Sequence, residues 1–132
     1  MRTHIKTTVV LVFLLVSTIA GAAQRSGRWE LLGERQVDFR NDHDQIDVGR
    51  RGGPFKELQL RVKNAPIEIF NMVVTFENGQ TFKPNLRHRF EKGSGSRVID
   101  LPGERRIIKR IDFYYKSLSP RKGKGVVSVL GR

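Results

Sequence analysis

The chain has 132 residues, which suits one domain, and no cysteine, so disulfides and thiolate chemistry are excluded. Its 25 lysines and arginines exceed the 13 aspartates and glutamates, giving a net charge of +12. Such a charge attracts polyanions and anionic surfaces. The same net charge is also expected of a basic, soluble surface without a specific partner, and that alternative stays open.

The first 22 residues are predicted to be a signal peptide. A short basic stretch precedes an uncharged apolar run over residues 8–20, and small residues follow where signal peptidase reads the chain. We expect cleavage after Ala22 or Ala23. A retained anchor is the alternative, but the run is shorter than the roughly 20 residues of a membrane span. We therefore expect an exported protein, periplasmic or secreted, with no span after cleavage and a single domain over residues 23–132.

The remainder of the chain has the period of β-strands. Turn residues recur roughly every eight to twelve residues, and apolar and polar residues alternate between them. No stretch keeps a helical period. The predicted fold is all-β, an antiparallel β-sandwich of the jelly-roll type. About eight strands are predicted, over residues 28–32, 35–40, 45–49, 55–63, 67–77, 80–90, 97–101 with 106–116, and 124–130.

Strand parity predicts the residues that face the core. The predicted inward rows are Leu58, Leu60 and Val62; Phe70, Met72, Val74 and Phe76; Phe82, Leu86 and Phe90; Ile111, Phe113 and Tyr115; and either Val127 with Val129 or Val126 with Leu130. Ile67 and Ile69 are out of phase with the row that begins at Phe70, so a bulge or break near Ile69 is predicted. The single tryptophan, Trp29, is interpreted as a plug at one end of the core, with a ligand-facing role as the alternative.

Two dipeptides predict hairpins. Asn78-Gly79 is expected to supply both positive-φ positions of a tight hairpin. Pro102-Gly103 suits the central positions of a type II turn, which is expected to join two strands into a second hairpin.

The only acidic cluster lies in residues 41–47 and contains Asp42, Asp44 and Asp47. Carboxylates in a loop are ligands that Ca²⁺ prefers, so these three are weak metal candidates, although the spacing is not that of an EF-hand. The favoured interpretation places Asp42 and Asp44 in a turn, where their side chains bond to their own backbone. Ion pairs with arginines are a further alternative.

A polyanion site is predicted on one basic face. Lys83, Arg87 and Arg89 are expected to share one face of a strand, with Arg110 and Tyr114 on a neighbouring outward face. Guanidinium groups bind phosphate, sulfate or carboxylate in a bidentate manner, and a tyrosine ring stacks on a sugar or a base. The alternative is a solvated sheet face whose cations discourage edge pairing.

Several segments resemble a known group of sequences. They are Leu32-Gly33, Asp44 to Asp47, the Leu58 to Val62 strand, Asn78-Gly79, the run from Arg97 to Gly103, and the strand from Arg106 to Tyr115. Together they resemble a family of small exported bacterial proteins catalogued as a domain of unknown function. The resemblance implies a bacterial, exported β-sandwich and brings no catalytic residues.

The sequence favours a binding protein over an enzyme. Once the signal is removed, His43 and His88 are the only imidazoles, and no nucleophile motif is present. We expect no catalytic residue and no cofactor. The expected partner is an anionic envelope component, namely an acidic glycan, lipopolysaccharide or a phospholipid headgroup, or else a partner protein. An assembly module that works by strand addition is the alternative, a calcium-dependent module is less favoured, and intracellular nucleic acid is not expected.

Overall fold

A computed structural model of the chain describes residues 27–37, 43–118 and 124–132; the predicted signal peptide lies outside them. The strands are β1 (Glu30–Gln36), β2 (His43–Asp47), β3 (Pro54–Phe55), β4 (Glu57–Lys63), β5 (Ile67–Phe76), β6 (Thr81–Phe82), β7 (His88–Phe90), β8 (Ile99–Asp100), β9 (Arg106–Ser117) and β10 (Val126–Gly131). Within these ranges no helix is long and apolar enough to cross a membrane.

The strands form two antiparallel sheets. Sheet one has the order β1-β10-β4-β8. In sheet two, β9 and β5 lie at the centre, β2 and β3 pair with β9, and β6 and β7 pair with β5. If β2 with β3, and β6 with β7, are each counted as one interrupted strand, the chain has eight strands. When these eight are numbered in chain order, their order is 1-8-3-6 in sheet one and 2-7-4-5 in sheet two. This is the jelly-roll order of two Greek keys, so the predicted fold class is confirmed.

The core lies between the sheets. The residues that parity predicted are buried in it or, in the case of Phe82, partly buried against it, with one exception. Leu58, Leu60 and Val62 of β4 are buried, and so are Ile111, Phe113 and Tyr115 of β9. On β10 the buried pair is Val127 and Val129. The period of two predicts the rows of β4 and β9 correctly because each strand has one face on the core and one on solvent, and in β10 the structure selects one of the two predicted rows.

Phe70 is the exception. The pairing of β5 with β9 shifts between Ile69 and Asn71, which confirms the predicted bulge. Phe70 is the extra residue of that bulge and is 37% exposed, so its predicted place in the core is wrong. A bulge sets two residues of one strand against one residue of its partner. Ile69 and Met72 can therefore both face the core, with Phe70 and Asn71 between them on the outer side.

Three connections differ from their prediction, two of them because strands change sheets. The predicted strand 55–63 divides at Lys56: β3 joins sheet two and β4 joins sheet one. Gly103 has the positive φ (90°) of a type II turn, but Pro102-Gly103 makes no hairpin, because β8 pairs with β4 and β9 lies in the other sheet. At Asn78-Gly79 only Gly79 has a positive φ (86°). There Phe76 N donates to Gln80 O (2.8 Å) and Gly79 N to Phe76 O (2.9 Å), so the loop has three residues.

The predicted break between the strands 28–32 and 35–40 is a bulge within one continuous strand. β1 runs from Glu30 to Gln36, and its pairing with β10 shifts between Leu31 and Gly33. A Cβ atom at Gly33 would lie 2.6 Å from Cγ2 of Ile46 on β2, so the glycine permits a close approach of the two sheets. Residues 38–40 of the predicted strand 35–40 lie outside the described ranges.

Glu34 on the outer face of sheet one leads to a prediction about pH. Its carboxylate accepts a hydrogen bond from Ser128 Oγ (2.6 Å) and lies 2.8 Å from Lys63 Nζ. The bonds from Lys63 and then Ser128 hold the pKa of Glu34 below its usual 4.5. A carboxylate whose pKa is lower in the folded than in the unfolded protein stabilises the fold at pH values above its unfolded-state pKa. This stabilisation is lost as the pH falls through the pKa of the carboxylate in the folded protein.

We expect Glu34→Gln to lower the free energy of unfolding slightly near pH 7 and to have no effect below the folded pKa of Glu34. Because the side chain is at the surface, the effect is small. Urea unfolding at neutral and strongly acidic pH measures it. Glu104→Gln, at an exposed carboxylate, is the matched control. Equal pH dependence of the two variants would contradict the argument.

Candidate anion-binding site

The predicted basic strand 80–90 is interrupted. β6 ends at Phe82 and β7 begins at His88, so Lys83 and Arg87 lie in the connection between them and only Arg89 lies in a strand. The prediction that Lys83, Arg87 and Arg89 share one strand face is therefore wrong. Pro84, which is buried in this connection, has no N–H group to donate to β5, and this removes one ladder bond.

We call residues 83–97 the basic edge. The segment leads from β6 at the edge of sheet two to β8 at the edge of sheet one, and Gly95 forms an isolated bridge with Arg61 on the way. It contains five basic residues and one acidic residue, a net charge of +4. The basic residues are Lys83, Arg87, Arg89, Lys92 and Arg97. Positive charge is therefore concentrated along one open side of the sandwich.

A cleft of about 270 Å³ opens in the basic edge. Its lining includes Arg87, His88 and Arg97, and none of the described residues that line it is an aspartate or a glutamate. The guanidinium of Arg97 donates to the carbonyl oxygens of Asn85 (3.2 Å) and Val98 (3.3 Å). These bonds hold one cation at the cleft wall before any ligand arrives.

Phe70 positions the second arginine. The guanidinium carbon of Arg87 lies 5.5 Å from the centroid of the Phe70 ring, within the range of a cation–π contact. By contrast, Arg89 Nε lies 2.9 Å from Glu91 Oε1 in an exposed ion pair. Arg87 and Arg97 are therefore the arginines that serve the cleft. Sequence reasoning included Arg87 but missed Arg97 and His88.

Arg110 and Tyr114 lie on the middle strand of sheet two, away from the basic edge. Arg110 Nε is 3.5 Å from Asp112 Oδ2, and His43 Nε2 is 2.9 Å from Asp112 Oδ1. The ring of His43 stacks on Tyr114 with a centroid distance of 4.5 Å and an interplanar angle of 14°. Because Asp112 offsets the charge of Arg110, the structure divides the predicted site into a basic edge and a central cluster.

The weak metal candidates do not come together. Asp42 lies outside the described residues. Asp44 lies in β2 and accepts a bond from Tyr115 Oη (3.1 Å), so its predicted place in a turn is wrong. Asp47 accepts a bond from Gln45 Nε2 (2.7 Å), and its spacing from Asp44 puts the two carboxylates on opposite faces of the strand. Among the residues that the structure describes, no cluster of three or more histidines and carboxylates is placed to hold a metal ion.

A larger cleft of about 560 Å³ near Trp29 has mixed charge. It is lined by Gly27, Lys56, Glu57, Glu104, Arg105 and Arg132. Arg132 Nε forms an ion pair with Glu57, and its guanidinium lies over the half-buried Trp29 ring, 4.5 Å from the centroid. Trp29 is not one of the core residues, so it is not the plug that was predicted. Because acids and bases offset one another, this cleft does not select anions.

Fold and site define a small jelly-roll domain with a cationic cleft at one edge. The chain belongs to the family described as Domain of unknown function (DUF2541), whose sequence model matches residues 7–131. The resemblance noted from the sequence is thereby confirmed. No curated protein matches the chain.

Solved structures of family 29 carbohydrate-binding modules have a similar fold. One variant has a TM-score of 0.38 at 12% identity, covering 80% of this chain and 91% of its own. A second has 0.37 at 12% identity, covering 79% and 90%. A third, complexed with cellulohexaose, has 0.34 at 14% identity, covering 78% and 79%. At TM-scores this low, the likeness carries no argument about the ligand of this protein.

Proposed function

We propose that this protein is an exported, non-enzymatic binding domain that holds an anionic group of an envelope component in the cleft of the basic edge. The observation that carries the proposal is the cleft itself, in which Arg87, His88 and Arg97 converge without a carboxylate among the described lining residues. The group bound is an oxyanion, namely a carboxylate, sulfate or phosphate. Export is supported by the signal-peptide pattern of residues 1–22.

The geometry of Arg97 supports binding of an oxyanion. A guanidinium has five N–H donors in a rigid plane, and here two of them bond to backbone carbonyls. The remaining donors can make the paired bonds that a carboxylate or phosphate accepts. Because the side chain is already held in place, little conformational entropy is lost on binding.

Charge beyond the cleft supports the same ligand. The basic edge carries +4 within a chain of +12, so an approaching polyanion meets an attractive field. Attraction of this kind weakens as salt is added, because the Debye length falls to about 8 Å near physiological ionic strength.

The hydroxyl in the cleft supports binding rather than catalysis. Ser96 Oγ donates to Arg97 O (2.7 Å) and accepts from Leu60 N (2.9 Å). The side chain is nearly buried, and its proton is directed at a carbonyl oxygen instead of a general base. Ser96 therefore fixes the shape of the cleft by joining it to β4 and is not placed as a nucleophile.

Strand addition has less support. Among the described edge strands β1 is the longest; it pairs only with β10, so its other edge is open to a partner. On that edge the Arg35 side chain donates from Nε to Gln45 O (2.9 Å), and Glu30 and Glu34 add exposed charges. Charged side chains on an edge strand discourage pairing with another chain.

The test replaces both cleft arginines with Arg87→Gln and Arg97→Gln. Binding of fluorescent heparin and of phosphatidylglycerol vesicles is measured at low and moderate salt, which separates a glycan source of the anion from a lipid source. We expect binding to weaken at least about tenfold, because a hydrogen bond to a charged group contributes about 1.5–3 kcal/mol. The salt dependence should also become shallower.

The matched control is Arg61→Gln with Lys124→Gln, which removes the same charge from exposed positions outside the cleft. We expect the control to weaken binding by less than about threefold. Equal losses in both double variants would mean that the basic surface acts only through its total charge. Failure of the unaltered protein to bind either probe at low salt would also overturn the proposal.

A further inference from the structure

Two aromatic side chains are exposed side by side on the outer face of sheet two. Among the residues that the structure describes, Phe70 is 37% exposed and Tyr114 is 39% exposed. Tyr114 of β9 is paired with Asn71 of β5, and Phe70 is the bulge residue next to Asn71. Tyr114 and Asn71 are therefore directly opposite each other, with side chains roughly 5 Å apart, and Phe70 adjoins Asn71 on the same face.

The aromatic surface continues in both directions. On β2, His43 is in register with Tyr114 and stacks on its ring. Beyond β5, Arg87 lies over Phe70 and lines the anion cleft. We call His43, Tyr114, Asn71 and Phe70 the outer strip. It crosses three strands, about 10 Å from β2 to β5 at the usual strand spacing, and ends at the cleft.

The strip is held rigid by its neighbours. Asp112 Oδ1 bonds to His43 Nε2 at 2.9 Å, and the stacked His43 ring in turn supports Tyr114. The bulge in β5 adds Phe70 to this face without moving a core residue, since Ile69 and Met72 both remain buried. Bulges commonly redirect a side chain toward a functional surface.

We infer that the ligand is an acidic oligosaccharide whose sugar rings lie on the outer strip and whose acidic group enters the cleft. This inference rests on the proposed anion site. Aromatic side chains offer large apolar faces, which suit the C–H face of a sugar ring. The amide of Asn71, beside these rings, is suited to bond hydroxyl groups. The strip and the cleft thus match the two chemical parts of one molecule.

The distribution of charge favours a glycan over a nucleic acid. A phosphodiester chain carries a charge at every residue and is bound along a continuous basic track. On the outer face Arg110 is paired with Asp112. Among the described residues, the cations that remain near the strip are Arg87 at the cleft and Lys116, two residues beyond Tyr114 on β9, and they do not form a continuous track along it. A ligand that is uncharged for part of its length and anionic at one end fits this arrangement.

The experiment uses two kinds of probe on the same variants. Isothermal titration measures hexasaccharides of hyaluronan, alginate and polygalacturonate, which contain sugar rings and carboxylates. Inorganic tripolyphosphate is the anion without sugar, and it reports on the cleft alone. The variants are Phe70→Ala and Tyr114→Ala, with Phe70→Tyr and Tyr114→Phe as conservative partners that keep the rings. Leu31→Ala, at a side chain that is 58% exposed on sheet one, is the control.

We expect at least one hexasaccharide to bind, with affinity reduced about tenfold by each alanine variant and restored by the ring-preserving variant at the same position. Tripolyphosphate affinity should change by less than about threefold in Tyr114→Ala and fall in Arg87→Gln. In Phe70→Ala, which loses the contact with Arg87, it should fall by less than the affinity for the hexasaccharide does. Leu31→Ala should leave both probes unchanged. Thermal melting confirms that each variant is folded.

The outcomes separate this inference from the proposed function. If tripolyphosphate depends on Arg87 but no hexasaccharide depends on Phe70 or Tyr114, the anion site stands and the glycan strip is wrong. If neither probe depends on Arg87, the anion site itself is wrong. If oligothymidylate or phosphatidylglycerol vesicles bind more tightly than every hexasaccharide and depend on Phe70 and Tyr114, the strip serves another ligand and the inference is overturned.

Discussion

Replacing Phe113 with alanine is expected to lower the free energy of unfolding by about 3–5 kcal/mol, the usual cost of removing a buried aromatic ring. Phe113 is fully buried in the middle of β9 and is paired with Asp44 on one side and Met72 on the other. Because both flanking strands are held in register, the surrounding structure cannot collapse into the cavity. A typical domain has only about 5–15 kcal/mol of stability, so the melting temperature should fall by more than about 10 °C.

Phe70→Ala is the matched control for this prediction. It makes the same chemical change on the neighbouring strand, at a ring that is 37% exposed, and it removes the contact with Arg87. We expect a loss of about 1 kcal/mol or less by chemical denaturation. If both variants lose the same stability, Phe113 is not packed as described and the assigned inward face of β9 is wrong.

Deleting Val73 is expected to prevent stable folding, whereas deleting Phe70 from the same strand is expected to be tolerated. Without Val73, the strand after Met72 shifts by one position, which turns Val74 and Phe76 away from the core. Exposing two buried side chains costs about 3–6 kcal/mol, at about 1.5–3 kcal/mol each. Without Phe70, Asn71 takes the single outward position between Ile69 and Met72, and the alternation becomes regular.

Circular dichroism and thermal melting of the two deletion variants measure this difference. The Val73 deletion should lack a cooperative transition, and the Phe70 deletion should keep one with the strand spectrum of the unaltered protein. An unfolded Phe70 deletion with a folded Val73 deletion would mean that the bulge is misplaced along β5. Because Phe70 belongs to the outer strip, its deletion should also weaken glycan binding while the fold remains.

The candidate site was only partly predictable from the sequence. The density of basic residues in the sequence is enough to predict Lys83, Arg87 and Arg89 as candidates for an anion site. Arg97 was missed as a partner because it lies ten residues beyond Arg87, at the start of a separate predicted strand that follows the glycine- and serine-rich residues 93–96. The fold brings its guanidinium to the carbonyl of Asn85. Arg110 was included because its charge is visible in the sequence, while its pairing with Asp112 follows from side-chain geometry.

The sequence by itself determined the fold class and the inward face of most strands. Alternation in β4 and β9 predicts their buried residues because side chains of a strand point to opposite faces whatever its partner is. In β10 alternation left two rows open, and the structure selects Val127 with Val129. The phase break at Ile69 predicts the bulge for the same reason. These are local properties of the backbone, and they are encoded over a few consecutive residues.

Only the tertiary structure decided which strands pair, which residue of the bulge is exposed, and where the cationic cleft lies. Pro102-Gly103 has the chemistry of a hairpin turn, yet it joins strands of different sheets, since β8 finds its partner in β4, about 40 residues away along the chain. Phe70 is as apolar as the core residues beside it, and its exposure follows from the register of β5 with β9. Pairing over such separations is settled by the packing of the whole sandwich, because no local segment contains both partners.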